Sequence, residues 1–388
     1  MNTKKKLAFY FISIVFFAAI SIVVCLGLYG LYLKLDYSFE IGPQFNRFDD
    51  ELGWTLTPNA TSFIKGSSFL NQTVYFDSTV FIEEHGFRSA RDKRSAEPGN
   101  IMAIGDSWTF GYCVDYEETY PYFLEKELNT PVINMGVPAY GSGSTYGLLK
   151  RHVKKFKPPF VVYLTIGLFE RSSAAVRTMN EQNELSQSLL IPTFIYNKET
   201  NTTSLVYPKP EFVSESVSKG LYPGGSLTAG YSLWNYLWYV KIKQIHNVFS
   251  QKLRAFRSSV LAENSIESQS ASDNSNLFAL SNIAVKQHEL ALYLDLARRF
   301  NFKFVLVEGP HGSSYSNIIE ELDSNDLEHL IYIGPEEFQR EVYEKSELLE
   351  MTDSEKRVPK DGHFGRGTNL LIGKLVASKI SDPSFDEL

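Results

Sequence analysis

A chain of 388 residues with 43% hydrophobic and 21% charged residues can bury a substantial core, which excludes wholesale disorder, collagen-like repeats and a disulfide scaffold. A net charge of −7, with no run of Lys and Arg adding up to a broad basic face, excludes nucleic acid as a partner. Only two cysteines occur, Cys25 in an apolar run and Cys113 in a predicted turn, and the two are not expected to pair.

From Leu7 to Leu33 the chain carries no charged residue. At roughly 1.5 Å per residue a helix of that length crosses a hydrocarbon core of about 30 Å. The apolar run continues through Leu28, Leu31 and Leu33, well past the length of a cleaved signal peptide. Residues 1–35 therefore read as a cytoplasmic tip and a transmembrane anchor, with the lipid bilayer as partner through residues 7–33. Lys4, Lys5 and Lys6 precede the run, whereas Asp36 and Glu40 follow it. The positive-inside bias then leaves the N-terminus in the cytoplasm and the remainder exported.

Residues 36–95 are rich in aromatic and β-branched residues, with turn signals at Gly53, Pro58-Asn59 and Asn71. They predict a β-rich lead-in segment of short strands. From Asn100 short apolar runs alternate with helical periodicity, the pattern of a parallel sheet with crossover helices. Ile101–Ile104, Val132–Met135, Phe160–Ile166 and Phe302–Val307 read as buried strands, and Thr119–Leu128, Tyr146–Phe156 and Ala284–Phe300 as helices. The expected fold class is α/β, a three-layer sandwich on a parallel sheet spanning residues 96–385. An insertion at about 172–282 interrupts the alternation. Thr193–Tyr196 and Ser204–Tyr207 predict a hairpin, Trp234–Phe249 a helix, and the polar stretch 262–276 a mobile loop.

Ile104-Gly105-Asp106-Ser107-Trp108-Thr109-Phe110-Gly111 falls where the first of these strands ends and a helix begins. A serine at the carboxyl edge of a parallel sheet, beside free backbone N–H groups, is placed as a nucleophile. Asp106 and Ser107 equally suit a helix cap. Near the far end, Pro359-Lys360-Asp361-Gly362-His363-Phe364-Gly365 precedes a run with helical spacing. Its histidine and carboxylate suit a general base and its orienting group, and the same string equally reads as a solvated Asp-Gly turn.

Together these strings resemble the SGNH (GDSL-type) hydrolase family, in which a flavodoxin-like domain carries the nucleophile in a Gly-Asp-Ser block. Ile133-Asn134-Met135-Gly136-Val137-Pro138-Ala139-Tyr140-Gly141 is similar to the second block of that family, and Val161–Ile166 to the strand leading into its third. Glu51-Leu52-Gly53-Trp54, Pro58-Asn59 and Gly86-Phe87-Arg88 resemble segments that precede the Gly-Asp-Ser block in membrane-anchored bacterial members. The resemblance covers about two thirds of the chain.

It implies Ser107 as nucleophile, His363 as general base and Asp361 as the group that holds the imidazole. The oxyanion hole would draw on the backbone N–H groups of Ser107 and of Ala139, which stands where the family has glycine. The third block reads Gly167-Leu168-Phe169-Glu170-Arg171 without the usual Asn, which leaves Glu170 and Arg171 as the residues at that place. The family's aspartate lies three residues before its histidine, a place held here by Lys360, and Asp361 is the neighbour. His311, after the strand ending at Val307, is expected at the same sheet edge, where it suits the lining of a substrate cleft and reads more readily as a loop histidine without a role. His85 and His152 lack partners at metal-ligand spacing, so neither metal nor cofactor is implied.

The expected activity is that of an extracytoplasmic serine ester hydrolase working on an ester-bearing substrate, acylated cell-surface polysaccharide among the choices. A sugar hydroxyl in place of water would make the protein an O-acyltransferase. The missing third-block Asn leaves room for a catalytically silent glycan- or partner-binding module.

Overall fold

The computed structural model describes residues 37–68, 72–92, 94–165, 192–197, 200, 202–207, 268–309 and 315–382, with 15–17, 20–22 and 24–25 near the N-terminus. Most of the run expected to cross a membrane, the helix expected at 234–249, and Glu170, Arg171 and His311 lie outside these residues. Among the described residues no helix is long and apolar enough to cross a membrane.

The strands are β1 (Tyr37–Ile41), β2 (Asn46–Asp49), β3 (Gly53–Leu56), β4 (Thr61–Ser68), β5 (Val74–Ile82), β6 (Arg88–Ser89), β7 (Ile101–Gly105), β8 (Val132–Gly136), β9 (Phe160–Thr165), β10 (Thr193–Asn197), β11 (Thr202–Val206), β12 (Lys303–Glu308) and β13 (Leu330–Ile333). Five of them, in the order β8-β7-β9-β12-β13, pair parallel throughout. Numbered within that set the order is 2-1-3-4-5, which is the flavodoxin-like doubly wound arrangement. β7, β8, β9 and β12 coincide with the four apolar runs. β13, only four residues long and bounded by His329 and Gly334, gives too short a signal to be read from sequence.

Because both faces of a parallel sheet are covered, its residues divide between two apolar layers. Met102, Ile104, Val161, Phe304 and Leu306 pack on one side with α3 (Ser142–Phe156) and the C-terminal half of α4 (Ser268–Phe300). Ile101, Ala103, Val162, Val305 and Ile331 pack on the other with α2 (Tyr120–Leu128) and a last helix, Arg366–Ile380. Thr119 starts α2 by accepting from the Tyr122 N–H, and Pro121 stands in its first turn, where a missing N–H costs nothing.

Two expectations need correction. Residues 36–95 are not a segment apart, since β1, β4, β5 and β6 extend the same sheet into nine strands. The junction is antiparallel and runs through Arg88 opposite Asn134. The alternating pattern of β4 and β5 signals strands but does not say against which edge they pair. Residues 268–276 are helical rather than part of a loop. Once the packed turns of α4 exist, each added residue gains a backbone hydrogen bond, while Ser and Asn cost only about 0.7 kcal/mol or less of propensity each. β10 and β11 pair antiparallel as the hairpin that the sequence predicts.

Candidate active site

Position 107 lies at the switch point of the sheet, where the chain leaves β7 for β8 on one side and later returns to β9 on the other. In doubly wound folds this is where a crevice opens at the carboxyl ends of the strands. Ser107 begins α1 (Ser107–Phe110), and Asp106 caps it by accepting from the Trp108 N–H at 2.9 Å. Capping and presenting the serine are thus done by different residues. The turn sits close against β8, because a Cβ on Gly136 would lie 2.1 Å from the Phe110 nitrogen.

The second string arrives from the other end of the chain. After α5 (Asp353–Lys356), Arg357 bridges back to Phe364, and α6 (Arg366–Ile380) follows at once. Between them the Val358 N–H donates to the His363 carbonyl at 2.8 Å, and the Gly362 N–H to the Val358 carbonyl at 2.9 Å. Gly362 has φ 93°, a conformation natural only to glycine, and Arg357 Nη1 holds its carbonyl at 2.9 Å.

The loop brings His363 Nε2 to 2.8 Å from Ser107 Oγ, across 256 residues of sequence. Asp361 Oδ1 accepts from His363 Nδ1 and also from the His363 backbone N–H at 3.2 Å. Burial pushes the Asp361 carboxyl up. The hydrogen bond and charge of His363, its backbone N–H and the Cys113 thiol together outweigh that and hold it below the ordinary carboxylate value. An ionised Asp361 accepts only, so Nδ1 carries the imidazole proton and the Nε2 lone pair faces the serine hydroxyl.

Lys360, at the place where the resemblance puts the aspartate, is exposed and directs its ammonium over the Tyr75 ring at 5.6 Å. Asp361 is therefore the carboxylate that meets the imidazole. Trp108 and Tyr112 flank the ring of His363, with centroids at 4.8 and 5.4 Å. Arg357 stacks over Trp108 at 5.2 Å and so ties the histidine loop to the serine turn.

Ala139 follows the end of β8, on the same edge as Ser107, with φ 66°. It occupies the left-handed conformation that a glycine would adopt without strain, and an alanine keeps the N–H there. The loop that carries it is braced from the lead-in segment. Trp54 Nε1 donates to the Pro138 carbonyl at 3.1 Å, and the Tyr140 hydroxyl to the Trp54 carbonyl at 2.5 Å.

Three further residues matter whose role the sequence does not show. Asn134 Nδ2 donates to the Thr109 carbonyl at 2.9 Å and fastens the serine turn to β8. Arg88, buried to 2% exposure, reaches the Phe110 carbonyl at 2.6 Å, the Gly111 carbonyl and the Val114 carbonyl at 2.5 Å. Cys113 is buried, unpaired as a disulfide and in a left-handed conformation at φ 67°. Burial and the Asp361 carboxylate that accepts its hydrogen bond push its thiol pKa up strongly, so it stands as a neutral donor. The Gly86-Phe87-Arg88 resemblance marks Arg88 without giving it a role, and a cysteine in a turn carries no pattern of its own in sequence.

No family model matches this chain, and no curated protein matches it. Among solved structures, a G-D-S-L family protein from Desulfitobacterium hafniense DCB-2 is similar at TM-score 0.30 and 12% identity, over 72% of this chain and 99% of that one. Similarity of that degree carries no weight for activity, and the fold stands on its own strand order.

Proposed function

We propose that the chain is an SGNH-type ester hydrolase that works through an acyl-enzyme on Ser107. The observation that carries this is the hydrogen-bonded line from Asp361 through His363 to Ser107, with Nε2 at 2.8 Å from Oγ. In this reading His363 takes the hydroxyl proton as Oγ attacks the ester carbonyl, and Asp361 stabilises the imidazolium that forms. The Ser107 N–H, at the first position of α1 and without an intrahelical partner, faces the oxyanion, and the Ala139 N–H is the second donor. His363 then protonates the leaving alkoxide, and water attacks the acyl group by the same route in reverse. With a sugar hydroxyl as acceptor the same site would transfer the acyl group.

The anchor at residues 7–33, the extracytoplasmic location and an acylated surface polysaccharide as substrate belong to the same proposal. The uncharged run and the three lysines before it support the anchor. So do the described helical residues within it, whose Val15, Phe16, Phe17, Ile20, Ile22 and Val24 are exposed, as lipid-facing side chains are.

The test uses the full chain purified in detergent, a fluorophosphonate probe and p-nitrophenyl acetate. Ser107→Ala is expected to abolish labelling, and Ser107→Ala and His363→Ala each to lower kcat by about 10⁴–10⁶-fold. Labelling that survives in Ser107→Ala, with no turnover by the wild type, would overturn the reading in favour of a silent binding module.

A further inference from the structure

We propose that Arg88, on lead-in strand β6, is a positioning residue for the reaction centre, acting through the turn that joins Ser107 to the groups backing Asp361 and His363. This rests on the ester-hydrolase reading above and deepens it.

The turn from Phe110 to Val114 leaves a helix of only four residues, so its last carbonyls have no helical partners. Asn134 partners the Thr109 carbonyl, and Arg88 takes the Phe110 carbonyl and two in the turn beyond it. Nη1 donates to the Phe110 carbonyl at 2.6 Å and to that of Gly111, and Nη2 to the Val114 carbonyl at 2.5 Å. A second bond from Nη2, at 3.5 Å to the Thr79 carbonyl, ties the same guanidinium to β5. The Phe110 ring lies under the guanidinium, 4.6 Å from Cζ, and stacks at 5.7 Å on Phe45 of the lead-in segment.

The turn so held is strained at one place. Cys113 has φ 67°, a conformation that persists for a residue with a Cβ only when its surroundings over-determine it. Arg88 grips the carbonyls on both sides of that residue. The strained backbone turns the Tyr112 ring toward His363, at 5.4 Å, and the Cys113 thiol toward the Asp361 carboxylate. One guanidinium thus sets, from behind, both the end of the serine turn and the face against which the Asp–His pair rests. It does so without touching Ser107, His363 or Asp361. Burial draws the Arg88 guanidinium down to about 10, against the opposing charge of Asp115 and its neighbours, and leaves it cationic at neutral pH. Lysine cannot replace it, because a single ammonium has no planar fork with which to span three carbonyls.

Arg88→Lys, Arg88→Ala and Arg151→Ala in the full chain provide the test. Arg151 clamps Asp49 and Glu51 of the lead-in segment to α3 but touches nothing at the site. Arg88→Lys is expected to lower kcat on p-nitrophenyl acetate by about 10–100-fold with KM within about threefold of wild type. Arg151→Ala should keep the wild-type kcat. Methylguanidinium should restore Arg88→Ala saturably, by about tenfold or more, which a general loss of docking would not allow.

A wild-type kcat in folded Arg88→Lys, or an equal loss in Arg151→Ala, would overturn the proposal while Ser107→Ala stays silent. Turnover in Ser107→Ala would instead overturn the hydrolase reading beneath it. Should neither Arg88 variant show a cooperative thermal transition, Cys113→Ala and Cys113→Ser decide, since both leave the Arg88 bonds in place. Removing the donor on Asp361 makes that carboxylate a stronger partner for the imidazolium. The acid limb of kcat/KM therefore moves to higher pH in Cys113→Ala and stays in place in Cys113→Ser. Wild-type kcat and an unmoved limb in Cys113→Ala would overturn it.

Discussion

Strands β7 and β8 are buried at every position, whereas β4 and β5 in the same sheet alternate buried and more exposed residues. The parallel half is held by apolar layers on both faces, so its position tolerates few alternatives. The antiparallel half has one apolar face, and its placement against the reaction centre depends on directed polar contacts, chiefly Arg88 on the serine turn and Trp54 on the Pro138 carbonyl. The contrast separates two jobs. The parallel half puts the reacting groups at one edge, and the lead-in half braces the loops that hold them.

The sharpest way to break this division lies on the parallel side. Asp361→Asn should lower kcat by about 10⁴-fold, because an amide cannot hold the imidazole in the right tautomer. The folded Asp361 carboxyl lies below its ordinary value, so its contribution to stability is present above about pH 4 and is lost as pH falls. Acid unfolding curves should therefore show less loss below that pH in Asp361→Asn than in the wild type.

On the lead-in side, Trp54→Ala removes a side chain exposed to only 1% and should cost about 3–5 kcal/mol by chemical denaturation. If the segment also braces the Ala139 loop, kcat measured at full folding should fall as well. A destabilised variant with unchanged kcat would reduce the lead-in segment to a stabilising cover at that loop.

A smaller effect arises beneath the sheet edge. Glu289 is buried and accepts from the Tyr315 hydroxyl at 3.2 Å, and burial raises its pKa to about 7. A carboxyl whose folded pKa is raised favours folding in its neutral form, so that stability is lost as pH rises from about 4 through 7. Glu289→Gln should be near neutral at pH 5 and more stable than wild type at pH 8, as read by thermal unfolding at both values.

The smallest effect concerns Ala139. Ala139→Gly relieves a left-handed alanine at φ 66° and should stabilise the fold by about 1 kcal/mol or less, since part of the gain is offset by unfolded-chain entropy. The N–H is kept, so kcat should stay within about twofold of wild type.

The apolar runs that became β7, β8, β9 and β12 were legible because burial on both faces leaves an unbroken hydrophobic string. The serine and histidine strings were legible as places where a strand ends and a helix begins. Asp361 was legible as the partner of the imidazole although the family's aspartate position falls on Lys360, but how its carboxylate reaches the ring was not, since that depends on the left-handed turn at Gly362 and the grip of Arg357 on its carbonyl. Arg88 and Cys113 were invisible in role, because the turn carbonyls that Arg88 holds lie more than 20 residues from it and the Asp361 that Cys113 meets lies nearly 250 residues away.

By itself the sequence determined the α/β character, the serine and histidine strings and the strand-to-helix junctions that present them, because these follow from local periodicity and turn chemistry. Only the tertiary structure decided that the lead-in strands join the main sheet, that 256 residues of separation close to 2.8 Å between imidazole and hydroxyl, and that a buried guanidinium braces the turn between them. The physical reason is that sheet-edge pairing and long-range hydrogen bonds depend on which surfaces meet, and that is set by the packing of the whole chain rather than by any one segment.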